Sequence, residues 1–343
     1  MKRGGMVNNV AFSVLDVSPI VAGGTVADSL RNTLDLARHA EKWGYERFWL
    51  AEHHNSPSIA SSATSVVIAH VAAGTSTIRV GSGGIMLPNH SSLVIAEQFG
   101  TLEALYPGRI DLGLGRAPGT DHLAAAALRG ASGRDGHDFP EQLEELRAYF
   151  AGRMPVRAIP GEGTSVPIWL LGSSDFSARL AAELGLPFAF AGHFSPQQLM
   201  PALELYHRNF QPSRVLEEPY AMVAMNVILA DTDEEAARLA TSGQQLFLSF
   251  IRNKPGPLPP PVDSMEELWT EREKWALQQN LGGSIVGGPD TVRTKLEKLI
   301  RDTRANEIMA VAHIYDHQAR LRSYELLADL AGLRKPAAGT VRD

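Results

Sequence analysis

The chain has 343 residues, of which 44% are apolar and 20% charged, with a formal net charge of −6 and no cysteine. This is the composition of an ordinary globular protein. It excludes disulfides, thiolate metal centres and cysteine nucleophiles, and its interspersed acids and bases leave no basic cluster for nucleic acid or an anionic membrane.

The opening MKRGGMVNN is not followed by the apolar stretch of a signal peptide. The longest apolar run, 65–74, is too short to span a bilayer, so a cytoplasmic location is expected. The first strand is expected over 9–17. A helix follows over 29–45, with Leu30, Leu34 and Ala37 on one face, Asp28 or Ser29 at its start and Gly44 at its end. Strand 47–54 closes on Glu52-His53-His54. A buried helix over 61–75 leads to strand 78–87, and helix 92–108 is stopped by Pro107-Gly108.

Strand 109–114 is followed by a long Gly/Ala/Asp segment over 117–140. Then come strand 167–172, helix 175–185, strand 187–191, helix 195–210 and strand 221–230. Residues 231–290 break the rhythm with the proline run KPGPLPPPVD and a charged helix over 264–279, before strand 307–314 and helix 317–332.

Eight strands alternate with helices, and most are near-continuous apolar runs, as expected of a parallel sheet with both faces covered. They predict a (β/α)₈ TIM barrel with insertions in the loops at the C-terminal face. One domain over 7–333 with a tail at 334–343 accounts for the chain. The rival, a doubly wound sheet, lacks its glycine fingerprint, because GLGRAPG (113–119) has the wrong spacing and carries Pro118 inside the loop. The two irregular segments, 117–140 and 231–290, are long enough to be lids over a site.

Barrel chemistry sits at the C-terminal ends of strands. There, VGSGGIMLP (80–88) gives up side chains at Gly81, Gly83 and Gly84, as a strand does where a ligand or another backbone comes close. Gly113, Gly115 and Arg116 end the next strand. GSSDFS (172–177) opens a helix with Ser173, Ser174 and Ser177, where free N–H groups and hydroxyls suit phosphate, and Arg116 suits it as a planar fork. One of these serines is accounted for by capping alone.

A histidine at a strand end suits acid–base work, and alternation lets only one of His53 and His54 face the barrel mouth with a given neighbour. A metal site from Glu52, His53, His193, His313 and Asp316 is the alternative, without its usual spacing signals. The residues alone point to a phosphorylated planar ligand and do not name it.

The order of GYERFWLAEHH (44–54), the stretch 78–119, PIWLLGSSDFSARLAAELGLPFAFAGHF (167–194) and AHIYDHQARLRSYELLA (312–328) resembles the bacterial luciferase-like, flavin-dependent monooxygenases. The last of these stretches, 312–328, is similar to their single-chain subgroup. The resemblance implies a (β/α)₈ barrel binding FMN at its C-terminal mouth, with a non-proline cis peptide between Gly83 and Gly84 under the isoalloxazine. It makes His53 the catalytic histidine and puts the phosphate at Arg116, Ser173, Ser174 and Ser177. Gly115 stands where luciferase has a reactive cysteine, Ser173 where it has an acid, and His193 where it has an apolar residue near the ring. A second phosphate arginine has no counterpart over 137–146.

The implied activity is oxidation of a small organic substrate by reduced FMN and O₂, with the FMN supplied by a separate NAD(P)H:flavin reductase and no metal in the site. A deazaflavin-dependent oxidoreductase, a non-catalytic flavin-binding protein and a metal hydrolase are the other readings. The apolar helices over 61–75 and 91–105 suit a homodimer.

Overall fold

The computed structural model describes residues 6–117, 119–129 and 136–333; the expected tail at 334–343 lies outside them. Parallel strands β1 (Ala11–Asp16), β2 (Arg47–Leu50), β3 (Arg79–Met86), β4 (Ile110–Gly115), β5 (Ile168–Gly172), β6 (Phe188–Ala191), β7 (Ala221–Leu229) and β9 (Glu307–Val311) pair in that order. Pairing of β9 with β1 closes the barrel. A short strand missed in the sequence, β8 (Ile285–Gly287), adds to the end of β7 outside the closed ring.

Helices form the outer layer: α1 (Val26–Trp43), α2 (Thr64–Ala73), α3 (Ser92–Leu105), α4 (His122–Arg129), α5 (Phe139–Phe150), α6 (Asp175–Leu184), α7 (Leu199–Asn209), α8 (Asp233–Ile251), α9 (Glu271–Leu281), α10 (Pro289–Thr303) and α11 (His317–Ala331). α1 starts earlier than its apolar pattern suggests. Thr25, not Asp28 or Ser29, is its cap, and Asp28 is the reciprocal partner of a capping box. Its buried stripe is Thr33, Leu36, Ala37, Ala40 and Trp43, with Leu30 and Leu34 flanking it. Gly44 ends it in the left-handed conformation at φ 89°.

The two irregular segments carry more structure than their composition suggests. The first holds α4 and the start of α5. The second holds all of α8, capped by Thr232 with three acids in its first turn. α9 begins at 271 rather than 264, because Thr270 and Glu273 form its capping box. α8 and α9 close on a small apolar cluster of Leu248, Met265 and Leu277.

Alternate residues of each strand point into the barrel, and they form layers. At the N-terminal floor, Arg47 lies between Asp111 (2.8 Å) and Glu307 (3.1 Å). Ser13 and Tyr220 also donate to Glu307, and Trp49 Nε1 donates to Asp111 at 3.1 Å. Above this comes an apolar layer of Leu15, Trp49, Trp169, Met222 and Met309, with the two indoles edge to face at 5.2 Å. The inward rows then continue past the strand ends into the mouth.

Candidate active site

A cavity of about 820 Å³ opens at the C-terminal ends of the strands, within the usual size range of small-molecule sites. Leu15, Trp49, Met309 and Val311 form its floor. Every candidate residue lines it: His53 and His193; the glycines 83, 84 and 115; Arg116; and the serines 173, 174 and 177.

Side-chain alternation explains the convergence, because His53, Ser173, His193 and His313 each continue an inward row of β2, β5, β6 and β9. It also separates the paired histidines. His53 lies edge-on to Phe194 at 6.5 Å, whereas His54 turns its Nε2 to Glu52 at 2.9 Å.

The peptide bond between Gly83 and Gly84 is cis, and both residues present bare main chain to the cavity. Packing within the protein requires a glycine at position 84. A Cβ on Gly83 would stand 2.7 Å from Leu15 Cδ1, and one on Gly84 would stand 2.8 Å from the Gly113 carbonyl oxygen. On Gly115 it would meet Met86 Sδ at 2.8 Å. Strands β3 and β4 therefore approach too closely for a side chain at Gly84, whereas at Gly83 and Gly115 the atom met is the end of a flexible side chain.

Two strands along the ring, Ser174 occupies the N-cap position of α6 but makes no side-chain cap bond. None of the hydroxyls of Ser173, Ser174 and Ser177 is hydrogen-bonded within the chain among the described residues. Arg116 is half-buried, lies 4.0 Å over the Phe176 ring, and forms no ion pair among the described residues. Free hydroxyls, the unpaired N–H groups of a helix start and an unpaired guanidinium make an anion site. Such donors beside a flat wall, on neighbouring strands of one side of the barrel, fit a planar ligand with a phosphate tail.

The mouth also holds three neutral imidazoles. Burial lowers His53 below the ordinary histidine value, against the Gly119 carbonyl and the Glu52 charge beside it. Burial pushes His193 down to about 3, and His53 and His313 add like charge. His313 is pushed down to about 4 by burial and by Arg320.

Glu52 is buried, and burial alone would raise it. Hydrogen bonds from His90, His54 and the Met86 N–H (3.0 Å) outweigh this and hold it below the usual range. Asp316, offered above as a ligand, caps α11 by accepting from the Ala319 N–H. Among the described residues no group of three or more histidines and acids is placed to hold a metal ion.

The segment after β4 is pinned over this network. His54 N–H donates to the Gly119 carbonyl, Thr120 donates to the His54 carbonyl at 2.8 Å, Asn55 donates to Asp121 at 2.7 Å, and Arg129 donates to Asn89 at 3.0 Å. Residues 118 and 130–135 of that segment lie outside the described residues. Sequence reasoning missed Asn226, whose signal was a lone polar residue in the apolar run AMVAMNVILA, and His90, which had no local signal.

Residues 10–307 match the profile of the luciferase-like monooxygenases. The luciferase-like monooxygenase of Escherichia coli K12 is 54% identical, over 94% of this chain and 97% of its own length. N-acetyl-S-alkylcysteine monooxygenase of Bacillus subtilis is 34% identical, over 93% and 98%. Among solved structures, apo-MsnO8 superposes with a TM-score of 0.85 at 38% identity, covering 94% of this chain and 99% of that one. The oxygenating constituent of 3,6-diketocamphane monooxygenase from Pseudomonas putida, solved with FMN, shares the fold at 19% identity and a TM-score of 0.72, covering 94% and 98%. With its closed barrel and a profile match over most of its length, the chain belongs to the luciferase-like monooxygenase family.

Proposed function

We propose that the protein is a two-component flavin-dependent monooxygenase that takes reduced FMN from a separate NAD(P)H:flavin reductase. The observation that carries this reading is the pairing of the anion-binding donors of Arg116 and Ser174 with a side-chain-free wall at Gly83 and Gly84, in one cavity of a family of monooxygenases. When bound, reduced FMN supplies the two electrons that, with O₂, put one oxygen atom into an organic substrate and the other into water.

The chain's own residues do the rest. Arg116 and the hydroxyls of Ser173, Ser174 and Ser177 hold the phosphate, with Gly115 and His193 beside the ring. The apolar layer of Leu15, Trp49 and Met309 keeps water from beneath it. His53, neutral and facing the cavity, exchanges a proton with the reacting oxygen through the ring nitrogen that the Gly119 carbonyl leaves open. Residues 119–121, α8 and the end of α9 line the mouth over the site. Val66 and Val94 stand exposed on α2 and α3, a face that a second copy of the chain would cover; sedimentation at low concentration tests that homodimer.

The function is tested by mixing the protein anaerobically with reduced FMN, then adding O₂. Retarded recovery of oxidised-flavin absorbance relative to free reduced FMN supports the reading. Recovery at the free-solution rate, with FMN shown to be bound, overturns it.

A further inference from the structure

The bare wall and the phosphate donors of the proposed flavin site come from β3, β4 and β5. β7 lies diametrically across the ring, four strands from β3, so whatever shares the cavity with a ring on Gly83 and Gly84 is flanked by β7. Asn226 faces inward there, in the row of Met222 and Ala224. It is 8% exposed, and its Oδ1 has no hydrogen-bond partner among the described residues. A buried amide oxygen without a partner is costly and stands out in an otherwise apolar strand.

Around it the cavity is lined by Ile228, Ala240, Phe247, Leu281 and Val286, most of them from the insertion after β7. The nearby imidazoles of His193 and His313 are held neutral. Arg116, the one lysine or arginine among the described lining residues, stands across the barrel at the end of β4.

We propose that Asn226 reads the organic substrate, and that this substrate is an uncharged, largely apolar molecule whose hydroxyl or amide N–H donates to Asn226 Oδ1. The inference rests on the flavin reading for which side of the cavity the substrate takes. An anionic substrate meets no cation on this side and would be desolvated against apolar carbon.

The test uses three probes of one shape: 2-naphthol, 2-methylnaphthalene and 2-naphthoate. Equilibrium dialysis follows each with and without saturating FMN, after FMN affinity has been measured separately. The wild type binds 2-naphthol about tenfold more tightly than 2-methylnaphthalene or 2-naphthoate, the worth of one well-made buried hydrogen bond. Asn226→Leu loses the preference over 2-methylnaphthalene and keeps FMN affinity within about twofold. Asn226→Ala, which adds no volume, reads the same loss should leucine crowd the strand.

Variants that keep the naphthol preference, or wild type that binds naphthoate as tightly as naphthol, overturn the inference. A wild type that binds no FMN overturns the proposed function instead, and the dialysis on the FMN-free protein still decides the role of Asn226.

Discussion

Replacing Arg116 by methionine separates phosphate binding from ring binding. Methionine keeps an unbranched stem that can lie on the Phe176 ring, which the guanidinium covers at 4.0 Å, and removes the charge. Because Arg116 has no ion-pair partner among the described residues, the substitution strands no buried carboxylate and its cost to folding is small. A hydrogen bond to a charged group contributes about 1.5–3 kcal/mol. Arg116 is half-buried, so the lower part of that range applies, about 1.5–2 kcal/mol, or roughly 10- to 30-fold in the dissociation constant. Riboflavin has the same ring without the phosphate, and its affinity should move by less than about twofold.

Quenching of flavin fluorescence measures both ligands at low and high salt. The wild-type preference for FMN over riboflavin should shrink as salt rises, and the variant should show little of that dependence. Equal weakening of FMN and riboflavin would mean that Arg116 acts on the ring or the fold. No weakening of either would place the phosphate elsewhere.

Three further outcomes follow from the same geometry. Ser174→Ala should weaken FMN about 3- to 10-fold and leave thermal stability unchanged, since the hydroxyl does not cap α6; a fall in Tm without loss of FMN affinity would assign it to the helix. His53→Asn should cut turnover by about 10²–10⁴ with FMN affinity kept, and the acid limb of the wild-type pH–rate profile should lie below about 6.5, because burial lowers His53; a limb above that value contradicts the assignment.

Arg47→Met leaves the buried Asp111 and Glu307 without a shared partner. It should cost about 3–5 kcal/mol, or a Tm lower by about 4–7 °C for a chain of this length at about 2.1 cal/mol/K of unfolding entropy per residue. Burial already raises Glu307 above the usual carboxyl value, and loss of Arg47 raises it further. The folded variant then binds more protons than the unfolded chain, so its stability deficit should shrink as pH falls. Melting curves in mildly basic and mildly acidic buffer check this, and a deficit that grows on acidification refutes it.

The barrel was legible because its signal is local: each of the eight ring strands is an apolar run bounded by turn residues. β8 escaped because three residues pairing with the end of β7 have no periodicity of their own. α8 was legible in principle from Thr232 and the acids behind it, but the neighbouring proline run drew the reading toward a loop. The site was legible where residues sit at strand ends, since strand alternation carries His53, Ser173 and His193 into one mouth.

What the sequence could not display is contact across the barrel. The close approach of β3 and β4 that requires Gly84 against the Gly113 carbonyl is of this kind, as is the meeting of Glu52 with His90. The orphaned amide of Asn226 depends on what does not reach it from distant strands.

The central claim concerns where one coenzyme rests, and a crystal structure of the protein soaked with FMN tests it most directly. The account predicts the isoalloxazine against the main chain of residues 83 and 84, and the phosphate within hydrogen-bond reach of Arg116 and Ser174. Nucleotide bound elsewhere, or with its phosphate turned toward Asn226, would contradict it.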